Sequence, residues 1–421
     1  MKITKPILLA LIGSAGISLM ASAALAKDIT VWCWDKEFNG ATMKEAAARY
    51  AKDHADVNVN IVDFGKGDLE QKLQAQLASG TTEGLPDIVL IEDYGAQKYL
   101  QSFPAAFEPL NDKIDYSAFA KYKVELATLN GKTYSLPFDS GVTGLFYRSD
   151  ILAEAGYKEA DMQDITWEQY IDIGKAVKAK TGHPIMALDV NDAGTIRMMM
   201  QSAGVWYFNA DGTPNIAGSP AFKAALSTYA KILQTPEIYK PVSGWADFTG
   251  SFTKGDVASV FTGVWMTATI KAADQSGKWA IAPLPKLSGV DGAGHASNLG
   301  GSSWYVLSSA PSKAEAIDFL ATVWGKDADF YQKILVGQGA LGSLLAARDG
   351  EAYKASDPYF GGQAVWQNFS DWLSQIPGVN YGIFTNEADA AVNAQAAALQ
   401  KGGSVDEAIA AIDAQIRTQA Q

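Results

Sequence analysis

Between residues 28 and 93 the apolar pattern switches repeatedly between strand-like and helix-like spacing, and this alternation constrains the fold more than any other feature of the chain. Asp28–Trp34 (DITVWCW) reads as a short strand, and residues 41–53 read as a helix. Val57-Asn58-Val59-Asn60-Ile61 alternates at period two, so it is a second strand. A helix then opens after Gly67, with Asp68 as candidate N-cap, Leu69, Leu73 and Leu77 as its apolar stripe and Gly80 as its stop. The run PDIVLIED at 86–93 suits a strand covered on both faces, as in a parallel sheet. Strand–helix–strand–helix–strand is the order of an α/β sheet with right-handed crossovers. Ligands bind such sheets at the carboxyl ends of the strands. The residues there are Trp34, Asp35 and Lys36, then Asp63, then Glu92 and Asp93.

Past residue 165 the chain starts afresh. Thr166 with Gln169, Ser312 with Glu315, and Ser404 with Glu407 have capping-box spacing, and Ser219-Pro220 places Pro at the first turn of a further helix. A strand is expected at 185–188 and a helix around 195–203. No solenoid repeat or low-complexity linker interrupts the pattern. Two α/β lobes joined by several crossings account for it, each expected to be a mostly parallel sheet flanked by helices. Between the two halves lies LPFDSGVTGLFYR at 136–148, where an acid and two glycines interrupt an otherwise apolar stretch. Glycine weakens a strand, so its presence there implies a bend or a close approach.

Residues 1–26 have Lys2 and Lys5, an apolar stretch and an Ala24-Leu25-Ala26 ending, the pattern of a secretory signal cut after Ala26. The apolar stretch is shorter than the roughly 20 residues a membrane span needs. Loss of the two lysines would take the formal charge from −12 to −14, since the segment holds no acid. Such a balance disfavours nucleic acid, whose phosphates call for Lys and Arg. Cys33 is the sole cysteine, so no internal disulfide can form.

The three histidines, at 54, 183 and 295, stand in unrelated surroundings. There is no G-x-S-x-G, no phosphate-binding glycine motif and no His/Cys cluster for zinc, so no cofactor or metal is expected. Acids are plentiful. Asp35, Asp63, Asp93 and Asp139 could supply a pair for glycoside cleavage, or could hydrogen-bond sugar hydroxyls without reaction. The chain has 11 Trp, 17 Tyr and 17 Phe, with several Trp in WCWDKEFNG, SGWADF, TGVWMT and GGSSW rather than on helical stripes. Together they point to an aromatic-lined cleft.

Several segments resemble, in order and spacing, the extracellular sugar-binding proteins of ABC importers, of the maltose-binding-protein type. They are PDIVLIEDYGAQKYL (86–100), LNGKTYSLPFDSGVTGLFYRSDILAEAG (129–156), FTKGDVASVFTGVWM (252–266), LGGSSWYVLSS (299–309) and VNAQAAALQKGGSVDEAIAAIDAQI (392–416). The resemblance implies a two-lobed clamshell, with 27–138 plus 287–338 as one lobe and 139–286 plus 339–421 as the other. It implies a monomer with no catalysis, exported to the periplasm, that carries sugar to membrane permease subunits and their ATPase. By the same resemblance Trp265 is a stacking platform, Trp206 a second aromatic, Asp93 an acid that takes sugar hydroxyls, and Gly300, Gly301 and Trp304 a loop at the cleft. Asp139 would hold ligand near the hinge, with the nearby glycines letting the backbone pass close to the sugar. Trp34 and Asp35, at the first strand end, complete the expected site. Two or more Trp platforms with several acids suit more than one sugar ring, and lactose or a related galactoside is the expected ligand. The other readings are a secreted carbohydrate hydrolase and a receptor for a cationic solute.

Overall fold

The computed structural model describes residues 27–419, so the expected signal and its cut lie outside the described residues. The opening alternation folds as β1 (Lys27–Trp34), α1 (Ala41–Tyr50), β2 (Val57–Phe64), α2 (Lys66–Ser79) and β3 (Ile88–Glu92). β1 pairs in parallel with both β2 and β3. Helix α2 starts one turn earlier than its sequence suggests. Gly65 is its N-cap, and Asp68 lies in the first turn, where a negative charge suits the helix dipole.

The strands that follow and matter for the site are β4 (Ser135–Asp139), β5 (Thr143–Arg148), β6 (Met186–Leu188), β7 (Tyr239–Pro241), β8 (Ser259–Gly263), β9 (Trp279–Ala282) and β10 (Ser302–Val306). The first lobe is built on a five-stranded sheet in the order β2-β1-β3-β10-β4. β10 runs antiparallel to both neighbours, because the chain re-enters this lobe at the carboxyl ends of β3 and β4. In the second lobe β8, β5 and β9 form an antiparallel sheet, with β6 and β7 as a separate parallel pair. This differs from the mostly parallel sheet expected there. β5 leaves the hinge and both of its partners return to it, so Gly263 ends β8 beside Thr143 and delivers the next residues to the gap between the lobes.

Three chain segments cross side by side. Leu299 donates its N–H to Gly141 O at 2.7 Å, Thr143 to Ser297 O at 2.9 Å, and Ser140 to Leu341 O at 2.9 Å. Gly141 is needed for this contact, since a Cβ there would lie 2.3 Å from Leu299 O. The glycine expected to bring backbone close to a ligand therefore brings two hinge segments together.

The local helix signals fare unevenly. Thr166 and Gln169 make the full reciprocal box at the helix Trp167–Thr181, and Ser219 caps the helix Pro220–Leu233. Ser312 makes no cap bond and instead donates its hydroxyl to Asp28 O at 2.6 Å. Among the described residues no helix is long and apolar enough to cross a membrane.

Candidate ligand-binding cleft

β3, β4 and β10 all meet the gap between the lobes at one place, where Ser302 lies opposite Glu92 on one side and Asp139 on the other. At the end of β3 the side chains part company. Glu92 faces the gap, whereas Asp93, first residue of a 3-10 turn, is buried. The Asp93 carboxylate is ion-paired with Lys123, a fully buried lysine of α3 (Lys121–Leu126). The same ammonium donates to Ser302 O at 2.8 Å, and the Ser302 hydroxyl donates to Asp139. Burial pushes both carboxyls above their ordinary range, and the Lys123 charge pulls both back. Asp139 lines the gap as expected from sequence, while Asp93 stands behind it as the anchor of a buried ionic cluster.

The Gly-Gly pair completes this cluster. Gly301 has φ +83°, and a Cβ there would lie 2.6 Å from Asp93 Oδ2 and 3.0 Å from the backbone N of Gly141. Gly301→Ala is expected to cost about 1–3 kcal/mol through the left-handed backbone and this crowding. A lowered thermal midpoint would show it. An unchanged midpoint would mean the crossing relaxes freely.

Two indoles face these acids from the second lobe. Trp265 follows the end of β8 and is pinned by an Nε1–H donated to Leu299 O at 2.9 Å. Trp245 stands in the first turn of a helix over Gly244–Thr253 and is 59% exposed. Their rings lie 5.7 Å apart at 33°. Trp245, Trp265, Glu92 and Gly300 are shared by two adjoining cavities. One, of about 280 Å³, reaches into the second lobe toward Arg197, Asp192 and Phe248. The other, of about 530 Å³, is closed by Trp34, Asp35 and Asp139 of the first lobe. Asp35 sits at φ 60° and accepts from Phe38 N at 3.1 Å, so it ends β1 and caps the next turn while lining this cavity.

Two expected aromatics are elsewhere. Trp304 is 0% exposed, packed against Phe138 and Trp324 in the middle of the first lobe. Its strand begins at the gap and runs away from it, so two residues in, the side chain already belongs to the core. Trp206 is 1% exposed and donates to Thr385 Oγ1 at 2.9 Å. It stacks behind Tyr94, at 5.8 Å and 16°, and Tyr94 is the ring that lines the gap. Over Tyr94 lies the Arg197 guanidinium at 4.6 Å, paired with Asp192 at 3.5 Å and Asp389 at 3.6 Å. Asp63 is exposed and lines neither cavity.

Tyr94 and Arg197 are thus site residues that the sequence does not single out, while Glu92 and Trp245, read there only as a strand-end acid and as part of SGWADF, join the site. SGWADF was visible as a Trp beside glycine, and Glu92 as an acid at a strand end. Nothing local marked Arg197.

Two lobes on separate sheets, three hydrogen-bonded crossings and an aromatic, acid-lined gap between them define a clamshell solute receptor of the maltose-binding-protein type. The family model described as "Bacterial extracellular solute-binding protein" matches residues 45–361, well over half of the chain, and the chain belongs to that family. A lactose-binding protein of Rhizobium radiobacter is 61% identical over 409 residues, covering 97% of this chain and 96% of that one. Among solved structures, the ABC-transporter-associated binding protein of B. animalis subsp. lactis in complex with β-1,6-galactobiose superposes with TM-score 0.71 at 25% identity, over 92% of this chain and 96% of that one. The sugar-binding protein MalE of Xanthomonas citri superposes with TM-score 0.75 at 19% identity, over 92% and 95%.

Proposed function

We propose that this chain captures lactose or a closely related galactoside outside the cytoplasm and presents it to the permease subunits of an ABC importer. It acts as a monomer, exported to the periplasm with its signal cut after Ala26, and performs no chemistry on the sugar. The observation that carries this reading is the pair Trp245 and Trp265 facing Glu92, Asp35 and Asp139 across the gap. Indoles cover the C–H faces of sugar rings, and carboxylates accept strongly from hydroxyls. Several charges are already answered within the protein, Glu92 by Lys66 at 2.5 Å and Asp192 by Arg197, which favours a neutral guest over a cation. The name of the 61% identical relative supports the choice of sugar. A guest that touches both lobes binds the closed state better and shifts the population toward it.

A thermal-shift series with lactose, other disaccharides, monosaccharides and a polyamine, followed by product analysis, tests this. Lactose at 100 times its Kd is expected to stabilise by about 2.7 kcal/mol, a rise of several degrees, and to be recovered intact. A rise with the polyamine alone would make the receptor one for cations. Recovery of galactose and glucose would make two of the carboxylates catalytic.

A further inference from the structure

The chain holds two Asn-Gly pairs, Asn39-Gly40 and Asn130-Gly131. An asparagine followed by glycine can react with its own backbone, because no side chain shields the next peptide nitrogen. The fold closes one pair to that reaction and leaves the other open. We propose that Asn130 is a site of spontaneous modification, converted to aspartate and isoaspartate in the mature protein, and that the charge it gains weakens closure of the lobes on sugar. The second half rests on the sugar-receptor reading above, and the first does not.

Asn39 is 4% exposed, and its amide donates to Trp34 O at 2.9 Å. The Gly40 N–H is taken by Asp35 O at 3.1 Å, at the end of a helical turn that runs on into α1. Neither reacting group is free. Asn130 is exposed at the tip of a hairpin joining Thr128–Leu129 to Lys132–Thr133. Asn130 and Gly131 have φ 52° and 74°, the positive values that a two-residue hairpin turn calls for. A Cβ on Gly131 would meet nothing within 4 Å, so the nitrogen stands in open space. The turn must open before that nitrogen reaches the carboxamide. Only two residue pairs hold this hairpin, and so short a ladder opens locally at little cost.

The reaction needs water and nothing else. The Gly131 nitrogen, having lost its proton to solvent, bonds to Cγ of Asn130, and the Cγ–N bond of the carboxamide breaks to release ammonia. The five-membered imide so formed takes up one water at either of its carbonyls. Opening on one side gives aspartate. Opening on the other gives isoaspartate, with one more carbon in the main chain, which a two-residue turn does not fit.

Asn130 lines a cavity of about 560 Å³ whose walls come from both lobes. Glu125 stands on the first-lobe side, with Asp211 and Asn380 on second-lobe loops that Asn380 ties together through Asn209 O at 3.0 Å. Lys121, 3.3 Å from Glu125, answers that charge. The Asp211 carboxyl is held below its ordinary range by the hydroxyl and N–H of Thr213, and no Lys or Arg lines the cavity among the described residues. A carboxylate at 130 therefore adds a like charge to a gap that closure narrows.

The test holds the folded mature chain in warm, mildly alkaline buffer and maps its peptides by mass spectrometry with electron-transfer fragmentation, which tells aspartate from isoaspartate. The peptide with Asn130 is expected to accumulate both products while that with Asn39 stays unchanged. An intact Asn130 overturns the site, and equal conversion of Asn39 overturns the structural argument for it. Lactose titration of Asn130→Asp at low and high salt reads the second half. Affinity is expected to fall about twofold at low salt and to match the wild type at high salt, since salt screens exposed charges. The neutral variant Asn130→Gly, which suits the same turn, should bind as the wild type does throughout. No deficit in Asn130→Asp at low salt, or one shared by Asn130→Gly, overturns the charge effect and leaves the modification standing. If the wild type does not bind lactose, the receptor reading falls with the charge effect, and the peptide map alone decides the site.

Discussion

Trp265→Ala is expected to weaken lactose binding roughly 100-fold, about 3 kcal/mol, while the ligand-free protein keeps its fold. The ring is half-buried and serves both cavities, so its removal strips a ligand face from each. Aromatic anchors at the centre of an interface carry a large share of binding energy, and Trp265 has that position between Glu92 and Trp245. It also has a structural duty, the 2.9 Å bond from Nε1 to Leu299 O on a hinge crossing. Trp265→Phe separates the two roles. It keeps an aromatic face and loses the bond, worth about 1 kcal/mol, so its affinity should fall by tenfold or less. Titration with lactose and a melting curve for each variant make the check. If Trp265→Ala does not fold, the indole belongs to the core and the cleft must be drawn around Trp245 alone. If it folds and binds normally, neither cavity is the sugar site.

What could be read in advance depended on how local the cause was. β1 and β3 were legible as apolar runs suited to strands inside the sheet, β2 at the sheet edge by its alternation at period two, and helices separate them. The Thr166 cap was legible because its two bonds close within four residues. The same spacing at Ser312 misled, since a more distant acceptor, the carbonyl of Asp28, takes its hydroxyl. Glu92 and Asp93 show the limit of period-two reasoning. Adjacent acids at a strand end point opposite ways, and a one-residue shift in phase exchanges the ligand-facing group for the buried one. The phase here is fixed by Lys123, thirty positions away in sequence and unremarkable there. Trp304 was misplaced for a related reason. Its depth depends on the direction of β10, and that is set by where the chain crosses the hinge rather than by the residues of GGSSW.

Lys123→Met is expected to destabilise the protein by about 3–5 kcal/mol at pH 8 and by clearly less at pH 5. Removing one partner of a buried pair leaves the other charge uncompensated, and here that charge is Asp93 with Asp139 nearby. Both carboxyls are raised by burial, so in the folded state they hold a proton at a pH where the unfolded chain has already released it. A group of that kind contributes less stability as pH rises from its unfolded value through its folded one. Lys123 opposes the rise. Without it both carboxyls climb further, the loss deepens and extends to higher pH, and the gap between wild type and variant widens from pH 5 to pH 8. Melting curves of both proteins at the two pH values measure that gap. Asp93→Asn on the Lys123→Met background should recover most of the loss at pH 8, because an amide carries no charge to strand. An equal loss at both pH values, or no recovery by Asn, would mean that Lys123 acts through packing, and that the buried cluster at the root of the hinge is not held together by charge.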